Sequence, residues 1–313
     1  PFMLKEYSSL SRLVLVKNPY YYMADDVKID EVDFVIIEDA TTELTAYNNG
    51  EINIGFLSNT ISSDGLIQYK DSDEFHEQGK IGIQYCDFNT QLPEFSDSRV
   101  RRAFAMAIDR QAMLDALGVI EKPVYGFVPY AQPSLTDSSK SYRDVAGDMF
   151  AEDVAAAQAL MAEAGYPNGE GFPVLTCSYA NSSADFTTIF EYLQAQWEEI
   201  LGIPVVLEPL EKASMTTLRD AGDFEVTPQG WGADYMDASN MLSIFVTGNF
   251  INGGRYSNAE YDAAYNESLK TVDQAERMNL LHKAEQILLD DMGTIPLYHG
   301  SSVALYSDDT LEN

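Results

Sequence analysis

The sequence predicts a mixed α/β protein, in which helices cover a sheet that combines parallel and antiparallel strands. Residues 152–234 support this fold class because their patterns run helix, strand, helix, strand, short helix, strand. Hydrophobic residues make up 45% of the 313-residue chain, which is enough for a sizeable core. Only 22% of residues are charged, as in a folded chain rather than a disordered one.

The N-terminal third alternates short strands with one helix. The β-branched segments 11–18 and 32–38 predict strands, and residues 41–50 predict a helix that ends at an Asn-Gly pair. The following EINIGF predicts another strand. A strand at 81–89 then leads into 100–117, where apolar residues recur every three or four positions and predict one long helix.

The remaining chain is mostly helical, with strands between the helices. Residues 123–148 are rich in Pro, Gly, Tyr and Ser and predict a long ordered loop. Four further helices are predicted at 152–164, 184–201, 258–269 and 273–291. A last strand, TIPLYHGSSVALY, follows them. The simplest arrangement is a continuous α/β lobe at 84–290 that interrupts a second domain built from both chain ends.

Charge is the most skewed property of the composition. Fifty acidic and 19 basic residues give a formal net charge of −31 at pH 7. Such a charge repels nucleic acids and anionic lipid headgroups and keeps a protein soluble, so we expect no nucleic-acid partner and a monomer. No run of about 18 apolar residues is present, so no membrane span is predicted.

The residues of common catalytic and metal sites are scattered. His76, His282 and His299 lie outside any zinc-binding pattern, and the phosphate-loop, dinucleotide and nucleophile-elbow motifs are absent. Cys86 and Cys177 fit small buried side chains, and a disulfide between them stays open. We therefore expect no metal, no cofactor and no enzymatic activity. A glycosidase carboxylate pair has little support among so many acidic residues.

Several segments resemble the peptide- and dipeptide-binding proteins of ABC transporters, which are family 5 of the extracellular solute-binding proteins. The most specific is YCDFNTQLPEFSDSRVRRAFAMAIDRQAML at 85–114, where an Asn-Thr turn precedes a helix that ends in Ala-Ile-Asp-Arg. Residues 13–22 and 32–56 also match the family's order and spacing. We expect Arg101 and Arg110 to brace helix and loop rather than to touch a ligand.

The resemblance implies a periplasmic-binding-protein-like fold of type II, cluster C. Residues 1–83 would be part of the first lobe, 84–290 the C-terminal α/β lobe, and 291–313 the return strand to the first lobe. Pro1-Phe2 match the end of a glycine-rich motif of the family, so we expect the chain to be a C-terminal piece of a longer precursor.

The segment GWGADYMDASNML resembles the part of the peptide-binding members that faces the ligand. By this likeness Asp234 holds the α-ammonium of a peptide and Trp231 forms an apolar wall, with Gly232 and Tyr235 beside them. The residues alone allow another interpretation, in which Trp231 belongs to the core and Asp234 caps a turn. Pro228 and its neighbour replace the arginine that receives the peptide carboxylate in some relatives, so no peptide length is predicted.

Residues 250–262 match a family pattern in which a turn near the cleft precedes a helix. Asn252 and Tyr256 are the ligand candidates here, although a turn with an N-cap at Ser257 or Asn258 is the preferred interpretation.

The resemblance implies an extracytoplasmic receptor, anchored as a lipoprotein, that closes on oligopeptides by a hinge and delivers them to ABC permease subunits. The alternatives are a non-peptide solute on the same fold, such as an oligosaccharide or a nickel chelate, a glycosidase, and an adhesive surface domain.

Overall fold

The computed structural model describes residues 1–57 and 61–307. The chain forms two compact units, one from residues 1–78 with the segment from Ser302 onward, and one from residues 79–301. Each unit is described by itself below. None of the helices in the described ranges is both long and apolar enough to cross a membrane.

The smaller unit has a three-stranded antiparallel sheet. Its elements are β1 (Phe2–Ser8), β2 (Arg12–Lys17), β3 (Glu31–Val35), α1 (Ala40–Asn48) and α2 (Ser63–Tyr69), with sheet order β1-β2-β3. The predicted strands 11–18 and 32–38 and the predicted helix 41–50 are confirmed. Asp39 caps α1, because its carboxylate accepts the backbone N–H of Thr42 at 2.7 Å.

The predicted strand at EINIGF is wrong. Only Gly55 forms a β-bridge there, and it pairs with Leu305. Phe56 has a left-handed φ of 63°, which a strand does not allow. Its buried N–H donates to Glu43 Oε1 at 2.6 Å, so a side-chain acceptor replaces a strand partner.

The larger unit has a five-stranded mixed sheet covered by helices. In chain order its elements are β4 (Phe75–Phe88), α3 (Pro93–Ser96), α4 (Ser98–Met106), α5 (Arg110–Leu117), α6 (Tyr142–Ala146), α7 (Val154–Glu163), β5 (Leu175–Ala180), α8 (Ala184–Gln196), β6 (Val205–Leu210), α9 (Lys212–Ala221), β7 (Val226–Gly232), α10 (Ala238–Ser243), α11 (Ala259–Ser268), α12 (Gln274–Asp290) and β8 (Ile295–Leu305). The strand order is β6-β5-β7-β4-β8. β5 runs parallel to β6 and β7, whereas β4 and β7 are antiparallel, so the predicted mixed sheet is confirmed.

The chain passes between the units inside β4 and again inside β8. This division falls at 78/79 and 301/302, and the lobe boundaries predicted at 83/84 and 290/291 stay a prediction. The assignment of the units to lobes of a receptor stays a prediction.

The single helix predicted at 100–117 is two helices. Asp109 caps α5 by accepting the Ala112 N–H at 2.9 Å, and the chain leaves helical conformation there. The fully buried guanidinium of Arg110 donates to Ala105 O at 3.1 Å in the last turn of α4, and to Pro296 O at 2.9 Å. Arg101 likewise donates to the carbonyls of residues 95, 291 and 292. Both arginines therefore brace the fold, as predicted.

The core lies on both faces of the larger sheet. Trp197 is fully buried, and its indole N–H donates to Phe104 O at 3.0 Å. Cys86 and Cys177 are buried free thiols, so their predicted burial is confirmed and the disulfide left open in the sequence is not formed.

The loop predicted at 123–148 is anchored by one buried carboxylate. Glu285 of α12 accepts the N–H groups of Phe127 at 2.7 Å and Val128 at 2.9 Å. It also forms a buried ion pair with Arg143 of α6. Because both charges are shielded from water, losing either partner would leave an uncompensated buried charge.

Two histidines lie beside this ion pair. His282 packs against Tyr142 with ring centroids 4.5 Å apart, and His299 Nε2 lies 3.2 Å from Gly126 O. Burial and, to a lesser extent, the nearby Arg143 charge lower the pKa of His282 to about 4. Burial lowers the pKa of His299 to about 3, and the Arg143 charge acts in the same direction. The hydrogen bond with Gly126 O acts in the opposite direction but is outweighed.

We predict that His282 and His299 lower the free energy of unfolding of the larger unit as pH falls below 6.5, the ordinary pKa of histidine, whereas the buried Asp87, whose pKa is raised to about 7, contributes in the opposite direction. The unfolded chain then binds protons that the folded histidines reject, and each proton contributes a slope of at most about 1.4 kcal/mol per pH unit. His282→Gln and His299→Gln should each reduce this slope in urea titrations between pH 6.5 and the folded pKa values. His76→Gln, in the other unit, is the control. Equal slopes in all four proteins would contradict the prediction.

Candidate functional site

One edge of β7 is open over most of its length. β7 pairs with β4 from Gly82↔Gly232 to Phe88↔Val226, but it pairs with β5 at Cys177↔Val226 alone among the described residues. Beyond that point no described strand pairs with β7 on its β5 side. An interior strand of the sheet therefore becomes an edge strand near its end.

The register of β7 determines which peptide groups lie on this open edge. Ala233 N donates to Ile81 O at 2.8 Å, and Asn89 N donates to Glu225 O at 3.0 Å. Because hydrogen-bonded pairs alternate in an antiparallel ladder, residues 227, 229 and 231 bond to β4. The N–H and C=O groups of Gly230 and Gly232 therefore point away from β4. Both glycines are exposed, and without a Cβ they let another backbone approach closely.

The turn after β7 is organised by Asn240, in the first turn of α10. Its side-chain oxygen accepts the Trp231 indole N–H at 3.3 Å and the Asp234 backbone N–H at 3.1 Å. Its amide nitrogen lies 3.4 Å from Asp234 Oδ2. Asn240 is only 4% exposed, so one buried amide fixes the indole and the carboxylate relative to each other.

The base of this turn is fixed by an ion pair. Asp237 caps α10 by accepting the Ser239 N–H at 2.9 Å and receives two hydrogen bonds from Arg277, both at 2.8 Å. Burial opposes ionisation of Asp237, but the hydrogen bonds from Arg277 and Ser239 outweigh it and keep the pKa of this carboxyl below its usual value. The loop that presents Asp234 is therefore held at both ends.

Asp234 is exposed, and Trp231 is half-buried against the core. Within residues 1–57 and 61–307 no lysine, arginine or histidine forms an ion pair with Asp234. Its negative charge is thus not neutralised by an ion pair within these ranges. Gly232 is exposed, and the Tyr235 side chain is 55% exposed.

The structure brings Trp231, Gly232, Asp234 and Tyr235 together at one end of β7. Trp231 packs against the core and Asp234 is hydrogen-bonded within the turn, as the interpretation without a ligand predicts. The Asp234 carboxylate is nevertheless exposed to solvent, as contact with a ligand requires. Contact of these residues with a solute stays a prediction.

Asn252 and Tyr256 have internal partners. Asn252 donates to Tyr256 O at 2.8 Å and accepts the Tyr256 N–H at 3.0 Å, and Tyr256 OH donates to Asp291 Oδ2 at 2.9 Å. Tyr256 is only 3% exposed. Asn258 caps α11, as the preferred interpretation of this segment predicted. Both candidates line a cavity of about 440 Å³, but their polar groups are already bonded, so we do not include them among the proposed solute contacts.

A second cavity, of about 190 Å³, lies beside the open edge of β7. β7 contributes residues 227–230, and α9 contributes Lys212, Met215, Thr216 and Arg219. Sequence reasoning missed Arg219, Lys212 and Asn240. The i, i+3, i+4, i+7 spacing on α9 was the available signal for the cavity face, whereas nothing local marks Asn240.

Comparison with known proteins gives one consistent family. The model of the bacterial extracellular solute-binding proteins, family 5 middle, matches residues 1–253. The dipeptide-binding protein DppE of Bacillus subtilis is 27% identical over 312 residues, which are 98% of this chain and 56% of DppE. The probable deoxycholate-binding periplasmic protein YgiS of Escherichia coli is 27% identical over 304 residues, which are 97% of this chain and 56% of YgiS.

A solved structure of the periplasmic oligopeptide-binding protein OppAIV from Borrelia burgdorferi is 31% identical, with a TM-score of 0.74, over 99% of this chain and 60% of that chain. The predicted periplasmic-binding-protein-like fold is thereby confirmed. The chain spans about half the length of the curated relatives that it matches. It belongs to family 5 of the bacterial extracellular solute-binding proteins.

Proposed function

We propose that this chain is part of a receptor that captures peptides outside the cytoplasm for an ABC importer. The observation that carries the proposal is the pairing of two features at the end of β7. The carboxylate of Asp234 is exposed and not ion-paired among the described residues, and it follows directly on an open strand edge formed by Gly230 and Gly232. An extended peptide with a free amino terminus presents the complementary groups.

Asp234 would bind the α-ammonium of the peptide. At a separation of about 4 Å, a carboxylate and an ammonium attract each other by about 4 kcal/mol at an effective dielectric constant of 20, before the cost of desolvation. The indole of Trp231, held by Asn240 at 3.3 Å, would shield this pair from water on one side. Selectivity for a free amino terminus follows from this pairing.

The peptide backbone would add as a strand to the open edge of β7. The N–H and C=O groups of Gly230 and Gly232 supply donors and acceptors that any peptide bond satisfies. Such main-chain bonds do not depend on side-chain identity, so a broad range of peptide sequences would bind.

The relatives support this proposal by their names, since DppE is a dipeptide-binding protein and OppAIV an oligopeptide-binding protein. YgiS is named a probable deoxycholate-binding protein, and deoxycholate has no amino terminus. A non-peptide solute, such as an oligosaccharide or a nickel chelate, is therefore the competing proposal. It predicts that binding does not depend on a free amine.

The wider role is also proposed by analogy with the family. The receptor would be extracytoplasmic, anchored as a lipoprotein in its complete form and monomeric, and hinge closure on the peptide would precede delivery to the permease subunits. The relatives are named as binding proteins rather than as enzymes.

We predict that Asp234→Asn weakens binding of trialanine by about 10- to 100-fold and leaves N-acetyl-trialanine unaffected, because only the free peptide has an ammonium. The chain has two tryptophans, so the indole N–H signals of Trp231 and the buried Trp197 give an NMR probe at the site and an internal reference. Titration with millimolar peptide gives the affinity.

Asp148→Asn, which also removes one exposed carboxylate from the larger unit, is the matched control and should bind like the unmodified chain. Equal loss of affinity for free and acetylated trialanine in Asp234→Asn would refute the ammonium assignment. A Trp231 signal that responds to neither peptide would refute the proposed function.

We predict that Asn240→Leu shifts the Trp231 indole signal in the unliganded chain and weakens trialanine binding about tenfold. Leucine leaves the Trp231 and Asp234 N–H groups without their acceptor, at a cost of about 1–3 kcal/mol. Asn240→Asp keeps the acceptor, so it should preserve the indole signal. The carboxylate that Asn240→Asp introduces would lie beside that of Asp234. Repulsion between the two would raise the pKa of one of these carboxyl groups and move the pH midpoint of trialanine binding upward. An unchanged indole signal in Asn240→Leu would show that Asn240 does not position Trp231.

A further inference from the structure

We propose that the cavity between α9 and β7, the α9–β7 cavity, receives a carboxylate of the bound solute, and that this chain therefore favours peptides that place a carboxylate there. The inference rests on the proposed function, since it assigns a chemical preference to the same site. The cavity is lined by residues 227–230 of β7, Ala180 at the end of β5, Phe186 of α8, and Lys212, Met215, Thr216 and Arg219 of α9.

The charge around the α9–β7 cavity is opposite to that of the whole chain. The protein has 50 acidic and 19 basic residues, so a random group of charged neighbours is mostly acidic. The lining includes two cations, Lys212 and Arg219, and no aspartate or glutamate. A local excess of positive charge in a strongly acidic protein favours an anionic ligand group.

Carboxylates near Arg219 neutralise it only in part. Asp220 lies 3.4 Å from Arg219, but its side chain is 66% exposed, and such a pair is weak in water. Asp87 of β4 is buried opposite Thr227, and burial raises its pKa to about 7. At neutral pH Asp87 is therefore only partly ionised, and a further carboxylate near Arg219 is not strongly repelled.

The lining also offers hydrogen-bond donors. Thr227 is 1% exposed, and its hydroxyl has no hydrogen-bond partner among the described residues. The Arg219 guanidinium makes one long contact within the lining, to Gln229 Oε1 at 3.3 Å. A carboxylate has two oxygens that accept several hydrogen bonds, and a guanidinium, an ammonium and a hydroxyl are suitable donors.

The position of the α9–β7 cavity connects it to the peptide path. Gly230 belongs both to the cavity lining and to the open edge of β7. In a peptide added to that edge, successive side chains point to opposite sides of the sheet. Every second side chain would therefore lie on the side of α9, above Met215 and Arg219. The volume of about 190 Å³ accommodates a side chain of the size of glutamate.

Two parts of a peptide supply this chemistry. One is the side chain of glutamate or aspartate, and the other is the α-carboxylate of a short peptide that ends beside the cavity. In the second case Lys212 and Arg219 would take the place of the arginine that the sequence lacks at Pro228.

The test compares tetra-alanine with peptides that have one Glu or one Gln at each position in turn, each as the C-terminal acid and as the amide. Affinities come from titration of the Trp231 indole signal. At one position the Glu peptide should bind about five- to tenfold more tightly than the Gln peptide, or the acid should exceed the amide by a similar factor. The first result identifies a side-chain carboxylate and the second the α-carboxylate.

The preference should disappear in the double variant Lys212→Gln/Arg219→Gln, whose two side chains are partly exposed and make few contacts. Lys270→Gln, which removes an exposed cation paired with Glu267 at 3.7 Å, is the control for loss of a surface cation and should keep the preference.

Equal affinities for Glu and Gln and for acid and amide, in a protein whose trialanine binding still depends on Asp234, would overturn this inference and leave the proposed function standing. A preference that survives in the double variant would overturn it as well. Absence of any response to peptides would refute the proposed function and this inference together.

Discussion

The antiparallel pairing of β4 and β7 is the constraint on which the proposed site depends. This ladder holds β7 along its full length, while the contact with β5 ends at Val226, so the opposite edge is open at a position set by the rest of the sheet. The register assigns the free peptide groups to two glycines, the residue type that hinders an approaching backbone least. A slip of the register by one residue would turn these groups toward β4 and bring side chains to the open edge.

The side chains at the end of β7 are positioned by buried polar contacts rather than by apolar packing alone. Asn240 joins Trp231 to Asp234, and the pair of Asp237 with Arg277 fixes the start of α10. The same principle operates elsewhere in the larger unit, where Glu285 ties the loop at 123–148 to α12. Such networks define one geometry because each member is costly to leave unsatisfied in a medium of low dielectric constant.

Local patterns in the sequence predicted most of the regular structure. Helices such as α11 and α12 and strands such as β2 were predicted with nearly their observed bounds, because a core-facing periodicity marks each of them. The break at Asp109 and the bent segment at Phe56 were not predicted. Both depend on partners far away in the sequence, such as Pro296 O for Arg110, and periodicity contains no information about these partners.

The site shows the same division between local and distant information. Trp231 and Asp234 could be selected from a motif, since they lie three residues apart in one segment. The open edge of β7 could not be predicted from a motif, because it depends on where the pairing between β5 and β7 ends. The cavity face of α9 shows a recognisable helical spacing, but its meaning depends on its position beside β7. The sequence therefore indicates which side chains can contact a ligand, while the sheet topology determines which of them lie close enough to contact the same ligand.

Residue-resolved amide hydrogen exchange of Gly230 and Gly232, measured with and without saturating trialanine, tests the central claim most directly. If a peptide adds as a strand to the open edge of β7, exchange at both glycines should slow by about tenfold or more on binding, while Gly147, the exposed C-cap of α6, stays unchanged. Unchanged exchange at Gly230 and Gly232, under conditions in which the Trp231 indole signal is saturated, would contradict the account.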